Sequence, residues 1–269
     1  MNYYFVGIGG SGMSPLAEYL LQNGEHVSGS DSTPSKVTQH LASLGGKIFY
    51  THDSQNIPNN AILVRSSAIP TTNPEVQAAH IKNYPILHRS DLLQQLMSEK
   101  HSITVAGTHG KTTTSAMLTW ILDSIGEAPS AILGGRFCNS NKSALKGCSK
   151  LFVAEADESD GSFLKYNSET AIITNIEPDH LDHYGSFAHL QQAFMQHIHN
   201  IKPHGKLIYN YDDPTSKELI THAAVPTISF GFHPEADLSA YIHFQDGKQT
   251  TFEVNFDHQT TCMFNCLKY

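Results

Sequence analysis

An α/β architecture in two parts, each opening on a strand, a glycine-turned loop and a helix, is predicted by three observations. The apolar run Tyr3-Tyr4-Phe5-Val6 ends in Gly7-Ile8-Gly9-Gly10-Ser11-Gly12 and passes into a helical segment, Met13 to Gln22. A second apolar run, Ser102 to Ala106, ends in Gly107-Thr108-His109-Gly110-Lys111-Thr112-Thr113-Thr114 and passes into an amphipathic segment, Ser115 to Ile125, stopped by Gly126. Between and after these, short apolar runs alternate with helical segments, the rhythm of parallel sheets. The first loop has the spacing of a dinucleotide fingerprint and the second that of a phosphate loop. The predicted fold class is a Rossmann-like N-terminal domain followed by a P-loop ATPase-type α/β central domain.

The first part covers residues 1–100. Asn23-Gly24 ends its first helix, and a short strand, His26 to Ser28, delivers Asp31 nineteen residues after Gly12. In that geometry the glycine turn brings backbone close to a diphosphate, and Asp31 is placed for a ribose hydroxyl. NAD and a nucleotide sugar satisfy it equally. Pro34 to Leu44 is helical with Gly45-Gly46 as its stop; Lys47 to Tyr50 and Ala61 to Val64 are strands. The polar turn that follows holds Ser66 and Ser67 at a strand's carboxyl end, where their hydroxyls serve either as sugar or phosphate contacts or as loop caps. A helix from Asn73-Pro74 to Lys82, a strand at Ile86-Leu87 and a helix from Ser90 to Met97 complete this part.

The second part covers residues 101–269. Its loop aims backbone N–H groups and a helix N-terminus at one spot, where Lys111 can close over phosphates and Thr112 can reach Mg²⁺. Two residues before Gly107 stands Val105 rather than glycine, which makes this a short variant of the motif. Ser130 to Leu133 is apolar and ends in Gly134-Gly135, and Asn139 to Ser149 reads as a polar loop. The strand Leu151 to Ala154 ends in Glu155, the best placed acid for Mg²⁺ on a nucleotide. Asp157, Glu158 and Asp160 read as a solvated acidic turn. The strand Thr170 to Thr174 delivers Asn175 and His180 to the carboxyl end of the sheet, and Ala240 to Phe244, Asp246-Gly247 and Thr250 to Phe256 read as a hairpin.

Composition narrows the partners. With 17 basic and 25 acidic residues the net charge is −8, which argues against a nucleic-acid surface. No apolar run approaches the ~20 residues of a membrane span. Cys138, Cys148, Cys262 and Cys266 do not form a zinc spacing and no signal peptide precedes Tyr3, so reduced thiols and a cytoplasmic location are expected.

Four motifs carry a family resemblance: Gly7-Ile8-Gly9-Gly10-Ser11-Gly12-Met13-Ser14, Gly107 to Thr114, Glu155-Ala156-Asp157-Glu158-Ser159-Asp160 and Asn175-Ile176-Glu177-Pro178-Asp179-His180. In this order and spacing, over most of residues 1–210, the chain resembles the Mur ligases. The resemblance implies a UDP-sugar at the first loop, UDP-N-acetylmuramate, with Gly9, Gly10, Ser11, Gly12 and Met13 at its diphosphate, and L-alanine as the incoming amine. It also implies ATP on Gly107, Thr108, His109, Gly110, Lys111, Thr112 and Thr113 with Asn175 nearby, and Mg²⁺ on Thr112, Glu155 and His180. Lys111, His109, Glu155 and His180 would then be the catalytic set.

Two departures accompany the resemblance. Mur ligases continue into a third domain, and the expectation is that this chain has no room for it, ending short of the Gly-x-His-Asn entry to its helices. The segment Ser186 to Asn200 holds no lysine, unlike relatives that modify one to a carbamate. Within the family a ligase that recycles a murein tripeptide is the alternative. Outside it stand a non-catalytic nucleotide-binding fragment, a nicotinamide-dependent oxidoreductase and a P-loop phosphotransferase.

Overall fold

A computed structural model describes residues 1–137, 142–256 and 260–267. Cys138, expected as a reduced thiol, and the first residues of the loop predicted from Asn139 lie outside the described residues. The chain divides into two compact units, residues 1–103 with 112–155, and residues 104–111 with 156–269.

The first unit opens with β1 (Asn2–Val6), α1 (Ser14–Gln22), β2 (His26–Ser30), α2 (Lys36–Ser43), β3 (Lys47–Phe49), β4 (Ile62–Arg65), α3 (Pro74–Ile81), β5 (Ile86–His88) and α4 (Arg89–Ser98). These five strands form one parallel sheet in the order β3-β2-β1-β4-β5. The order reverses between β1 and β4, and the crevice beyond the carboxyl ends at such a reversal is where open parallel sheets take ligands. Tyr3, Tyr4, Phe5 and Val6 are all buried, as a central parallel strand covered on both faces requires. Tyr4 and Val6 pack with Leu63, Val76 and Ala79. Side-chain caps start the helices: Ser35 Oγ accepts from Thr38 N at α2, and Asn73 Oδ1 accepts from Glu75 N at α3.

A buried polar cluster ties this sheet together. Tyr4 and Ser30 each donate to Glu75, at 2.6 Å, and His52 Nδ1 lies 2.9 Å from both Ser30 Oγ and Glu75 Oε2. Burial, more than the Glu75 carboxylate, pushes the Tyr4 phenol far above its ordinary range.

The same unit contains the start of β6 (His101–Ala106), most of α5 (Lys111–Ser124), β7 (Ser130–Ile132), β8 (Ala144–Leu145) and β9 (Leu151–Glu155). β7 pairs parallel with β9 and antiparallel with β8. β8 falls within the stretch predicted as a loop. Two residues carry too little periodicity to be seen, and pairing with β7 is what makes them a strand. The α1 helix is anchored beside β8, where Glu18 Oε2 accepts from Ser143 N at 3.1 Å and Ser143 Oγ at 2.7 Å.

The second unit continues with β10 (Thr170–Ile173), α6 (Leu181–Tyr184), α7 (Phe187–His199), β11 (Lys206–Asn210), α8 (Pro214–Leu219), β12 (Thr227–Gly231), β13 (Leu238–Gln245), β14 (Gln249–Phe256) and β15 (Thr260–Leu267). The strands β10, β11, β12 and β13 pair in succession as parallel neighbours, and β13, β14 and β15 form an antiparallel meander. The predicted hairpin is β13–β14, and β15 extends it. In the core of this unit Phe163, Phe194 and Ile198 are buried, with the rings of Phe163 and Phe194 edge to face at 5.2 Å.

Candidate functional site

At the carboxyl end of β1 the chain turns sharply. Gly7 has φ +76°, and Gly7 N and Ile8 N both donate to Ser30 O. Asp31 closes the loop: its Oδ2 accepts from Gly9 N at 2.8 Å. A Cβ on Gly9 would stand 2.8 Å from that oxygen, so glycine is what lets the carboxylate approach. Gly10 and Ser11 are exposed and Met13 is buried at the head of α1. Ser66 O accepts from Ile69 N in the turn after β4, and Ser67 Oγ lies 3.0 Å from His88 Nε2.

Sequence reasoning missed Arg89. It is the first residue of α4, and a Cβ on Gly12 would lie 3.2 Å from its Nη1. A guanidinium thus stands beside the loop predicted to meet a diphosphate. The available signal was its place just after β5, at the same end of the sheet.

The second glycine loop, residues 107–111, belongs to the second unit. Gly107 has φ +134°, and a Cβ there would lie 2.1 Å from Thr174 Oγ1. The residues following β9 and β10 meet at the end of β6: Ala156 N donates to Val105 O at 2.9 Å and Thr174 N to Ala106 O at 3.0 Å. Asn175 clamps the loop, its Oδ1 accepting from His109 N at 2.9 Å and its Nδ2 donating to His109 O at 3.0 Å. Asn175 O also accepts from Thr108 N, and Thr108 Oγ1 accepts from Glu177 N. The imidazole of His109 is exposed, with Nε2 3.9 Å from Glu177 Oε2.

Lys111 is held from within. Its Nζ donates to Gly107 O at 2.7 Å, Thr108 O at 3.2 Å and Glu158 Oε1 at 2.9 Å. Glu158 corrects the reading of a solvated turn, because it is fully buried. Burial pushes its carboxyl above the ordinary range, against the pull of Lys111. The turn is fixed by Asp157 Oδ1 accepting from Ser159 N and Asp160 Oδ1 from Ser162 N, both at 3.1 Å. Tyr184 OH donates to Glu158 O at 2.5 Å. His180 precedes α6 in the left-handed region, φ +51°, with Nε2 3.7 Å from Glu158 Oε1. That conformation is costly for a residue other than glycine.

In the first unit Thr112 and Glu155 come together. Glu155 Oε2 accepts from Thr112 Oγ1 at 3.1 Å, and its Oε1 accepts from Gly134 N at 2.8 Å and Ser115 Oγ at 3.3 Å. A Cβ on Gly134 would stand 2.6 Å from Glu155 Oε2, and one on Gly135 2.6 Å from Thr112 Cγ2. Gly134-Gly135, predicted only as a strand end, therefore makes room for this pair. Thr113 is exposed in the first turn of α5.

A hydroxyl and a carboxylate oxygen are the hard donors Mg²⁺ takes. Among the described residues no three His, Cys, Asp or Glu side chains gather into a metal cage. Mg²⁺ on a nucleotide takes only one or two protein oxygens besides the phosphates.

Known proteins match both halves of the chain. Residues 2–101 match the family described as Mur ligase family, catalytic domain, and residues 105–266 match the Mur ligase middle domain. The UDP-N-acetylmuramate:L-alanyl-γ-D-glutamyl-meso-diaminopimelate ligase of Neisseria meningitides superposes with a TM-score of 0.85 at 25% identity, over 96% of this chain and 84% of that one. The UDP-N-acetylmuramate-alanine ligase MurC of Thermotoga maritima gives a TM-score of 0.84 at 27% identity, over 98% and 60%. A murein peptide ligase of Psychrobacter arcticus gives 0.84 at 26%, again over 98% and 60%. The chain thus spans 60% of the length of two of these structures. No helix among the described residues is long and apolar enough to cross a membrane. The chain belongs to the Mur ligase family.

Proposed function

We propose that this chain carries the UDP-sugar and ATP sites of a ligase joining L-alanine to the lactyl carboxylate of UDP-N-acetylmuramate, a cytoplasmic step of peptidoglycan precursor synthesis. The observation that carries the reading is the head of α5, where Lys111 faces Glu158 and Thr112 faces Glu155. Residues 1–100 are proposed as the UDP-sugar domain and residues 101–269 as the ATP-binding domain.

In the first, Gly9, Gly10, Ser11, Gly12 and Met13 would line the diphosphate, with Arg89 as its cation. Asp31 would take a ribose hydroxyl and Ser66 and Ser67 the sugar. In the second, the loop Gly107, Thr108, His109 and Gly110, whose Thr108 and His109 N–H groups Asn175 holds, and the ammonium of Lys111 would take ATP phosphates, with Thr113 in the helix's first turn. Asn175 would act by fixing the His109 peptide. Thr112, Glu155 and His180 would hold Mg²⁺, which supplies positive charge against the phosphoryl oxygens.

A carboxylate does not acylate an amine, because its leaving group would be oxide. Transfer of the γ-phosphoryl of ATP to the lactyl carboxylate gives an acyl phosphate and ADP; attack by the amine then releases phosphate and forms the amide. Lys111 offsets the repulsion between two anions as they meet. His109, exposed beside the loop, would face the reacting groups.

The murein peptide ligases among the similar structures favour a second reading, in which the amine is that of a tripeptide. Trapping the acyl phosphate tests the shared step. With ATP, Mg²⁺, UDP-N-acetylmuramate and hydroxylamine, the chain is expected to form a hydroxamate, suppressed by L-alanine and not by the tripeptide. Suppression by the tripeptide alone would select the second reading, and absence of hydroxamate would favour the non-catalytic nucleotide-binding fragment over both.

A further inference from the structure

The Lys111 ammonium has an internal acceptor for each of its three N–H bonds: Gly107 O, Thr108 O and Glu158 Oε1. Two are loop carbonyls, and the third is a carboxylate with its side chain 1% exposed. Glu158 Oε2 also lies 2.9 Å from Nζ but accepts no hydrogen bond among the described residues. The same carboxylate faces His180 Nε2 at 3.7 Å, and His180 is one of the ligands proposed for a divalent cation.

This arrangement treats two forms of a polyphosphate differently. A bare polyphosphate must draw Lys111 toward itself, and each step away from Glu158 leaves a buried carboxylate less compensated. It also meets the negative charge of Glu158 directly. A polyphosphate carrying a divalent cation brings its own positive charge, which the carboxylate attracts. We infer that Glu158 makes nucleotide binding metal-dependent, by withholding Lys111 from metal-free polyphosphates. Its role is one of positioning and discrimination, exerted through Lys111. The inference rests on the proposed assignment of Lys111 to the nucleotide phosphates.

Calorimetric titration with ADP, once in excess Mg²⁺ and once in excess EDTA, tests it through the ratio of the two dissociation constants. Removing one unit charge several ångströms from an anion, at an effective dielectric constant of ~20, changes affinity about tenfold or more. Glu158→Gln keeps the shape and removes the charge. It is expected to bind metal-free ADP about tenfold more tightly than the wild type, with Mg·ADP affinity changed less than about threefold. The ratio of dissociation constants then falls about tenfold. A purely structural loss would weaken both titrations together and leave the ratio where it was, which would overturn the inference. Glu158→Asp keeps the charge and is expected to retain most of the wild-type ratio, so it serves if the glutamine variant does not fold; a ratio collapsed in the aspartate variant would also overturn it. Wild-type protein that binds neither form of ADP would instead refute the Lys111 assignment beneath.

Discussion

Lys111 and Glu158 are each other's counterions, and removing the cation alone has a cost in stability as well as in binding. Lys111→Ala leaves the buried Glu158 carboxylate without its cation, a loss of roughly 1–3 kcal/mol. Thermal denaturation is expected to show a lower Tm for Lys111→Ala and recovery in Lys111→Ala/Glu158→Gln, while both fail to bind Mg·ADP. Equal melting of wild type and single variant would show that the pair is not coupled. His197 gives a pH-dependent counterpart. It is fully buried, with Nδ1 3.2 Å from Phe163 O and Nε2 without a partner among the described residues, and burial lowers its pKa from 6.5 to about 4. The unfolded chain therefore takes up a proton, as pH falls below 6.5, that the folded protein refuses down to about pH 4. Urea denaturation is expected to find about 2 kcal/mol less stability at pH 5 than at pH 7 from this group, a difference that shrinks in His197→Leu. The motif residues themselves were legible, since Lys111, Thr112, Glu155 and His180 stand at strand or loop ends. Glu158 was not. An acid-rich turn looks solvated in sequence, and only the ammonium brought by a loop 47 residues earlier allows it to be buried.

At the scale of elements, both loops depend on glycines that face a particular neighbour. Gly107→Ala would force a Cβ to 2.1 Å from Thr174 Oγ1 in a backbone conformation that L residues avoid. The expected result is loss of Mg·ADP binding in calorimetry, with UDP-sugar binding retained. Tyr4→Phe tests the cluster that joins β1, β2 and α3: it leaves Glu75 Oε1 short of a donor and is expected to cost about 1–3 kcal/mol in urea denaturation. Strands and helices of the first sheet were readable from apolar runs and turn residues, because the central strands are covered on both faces. The differences have local causes. The α5 helix begins at Lys111 rather than Ser115, because the loop runs directly into its first turn. The Ala144–Leu145 strand exists only through its antiparallel pairing with Ser130–Ile132.

For the whole molecule, the proposed ligase needs two ligand sites in one chain, a UDP-sugar at the first sheet and a nucleotide at the second glycine loop. The strand order β3-β2-β1-β4-β5 and the Asp31-closed loop do not by themselves separate a UDP-sugar from NAD, since both present a ribose and a diphosphate. Sequence spacing left that choice open, and the Mur ligase matches over residues 2–101 and 105–266 favour the UDP-sugar. The most direct test is calorimetric titration of the intact chain with UDP-N-acetylmuramate, with NADH as the control. Saturable binding of UDP-N-acetylmuramate that weakens in Arg89→Ala is predicted, with no binding of NADH; binding of NADH alone would contradict the proposed UDP-sugar site.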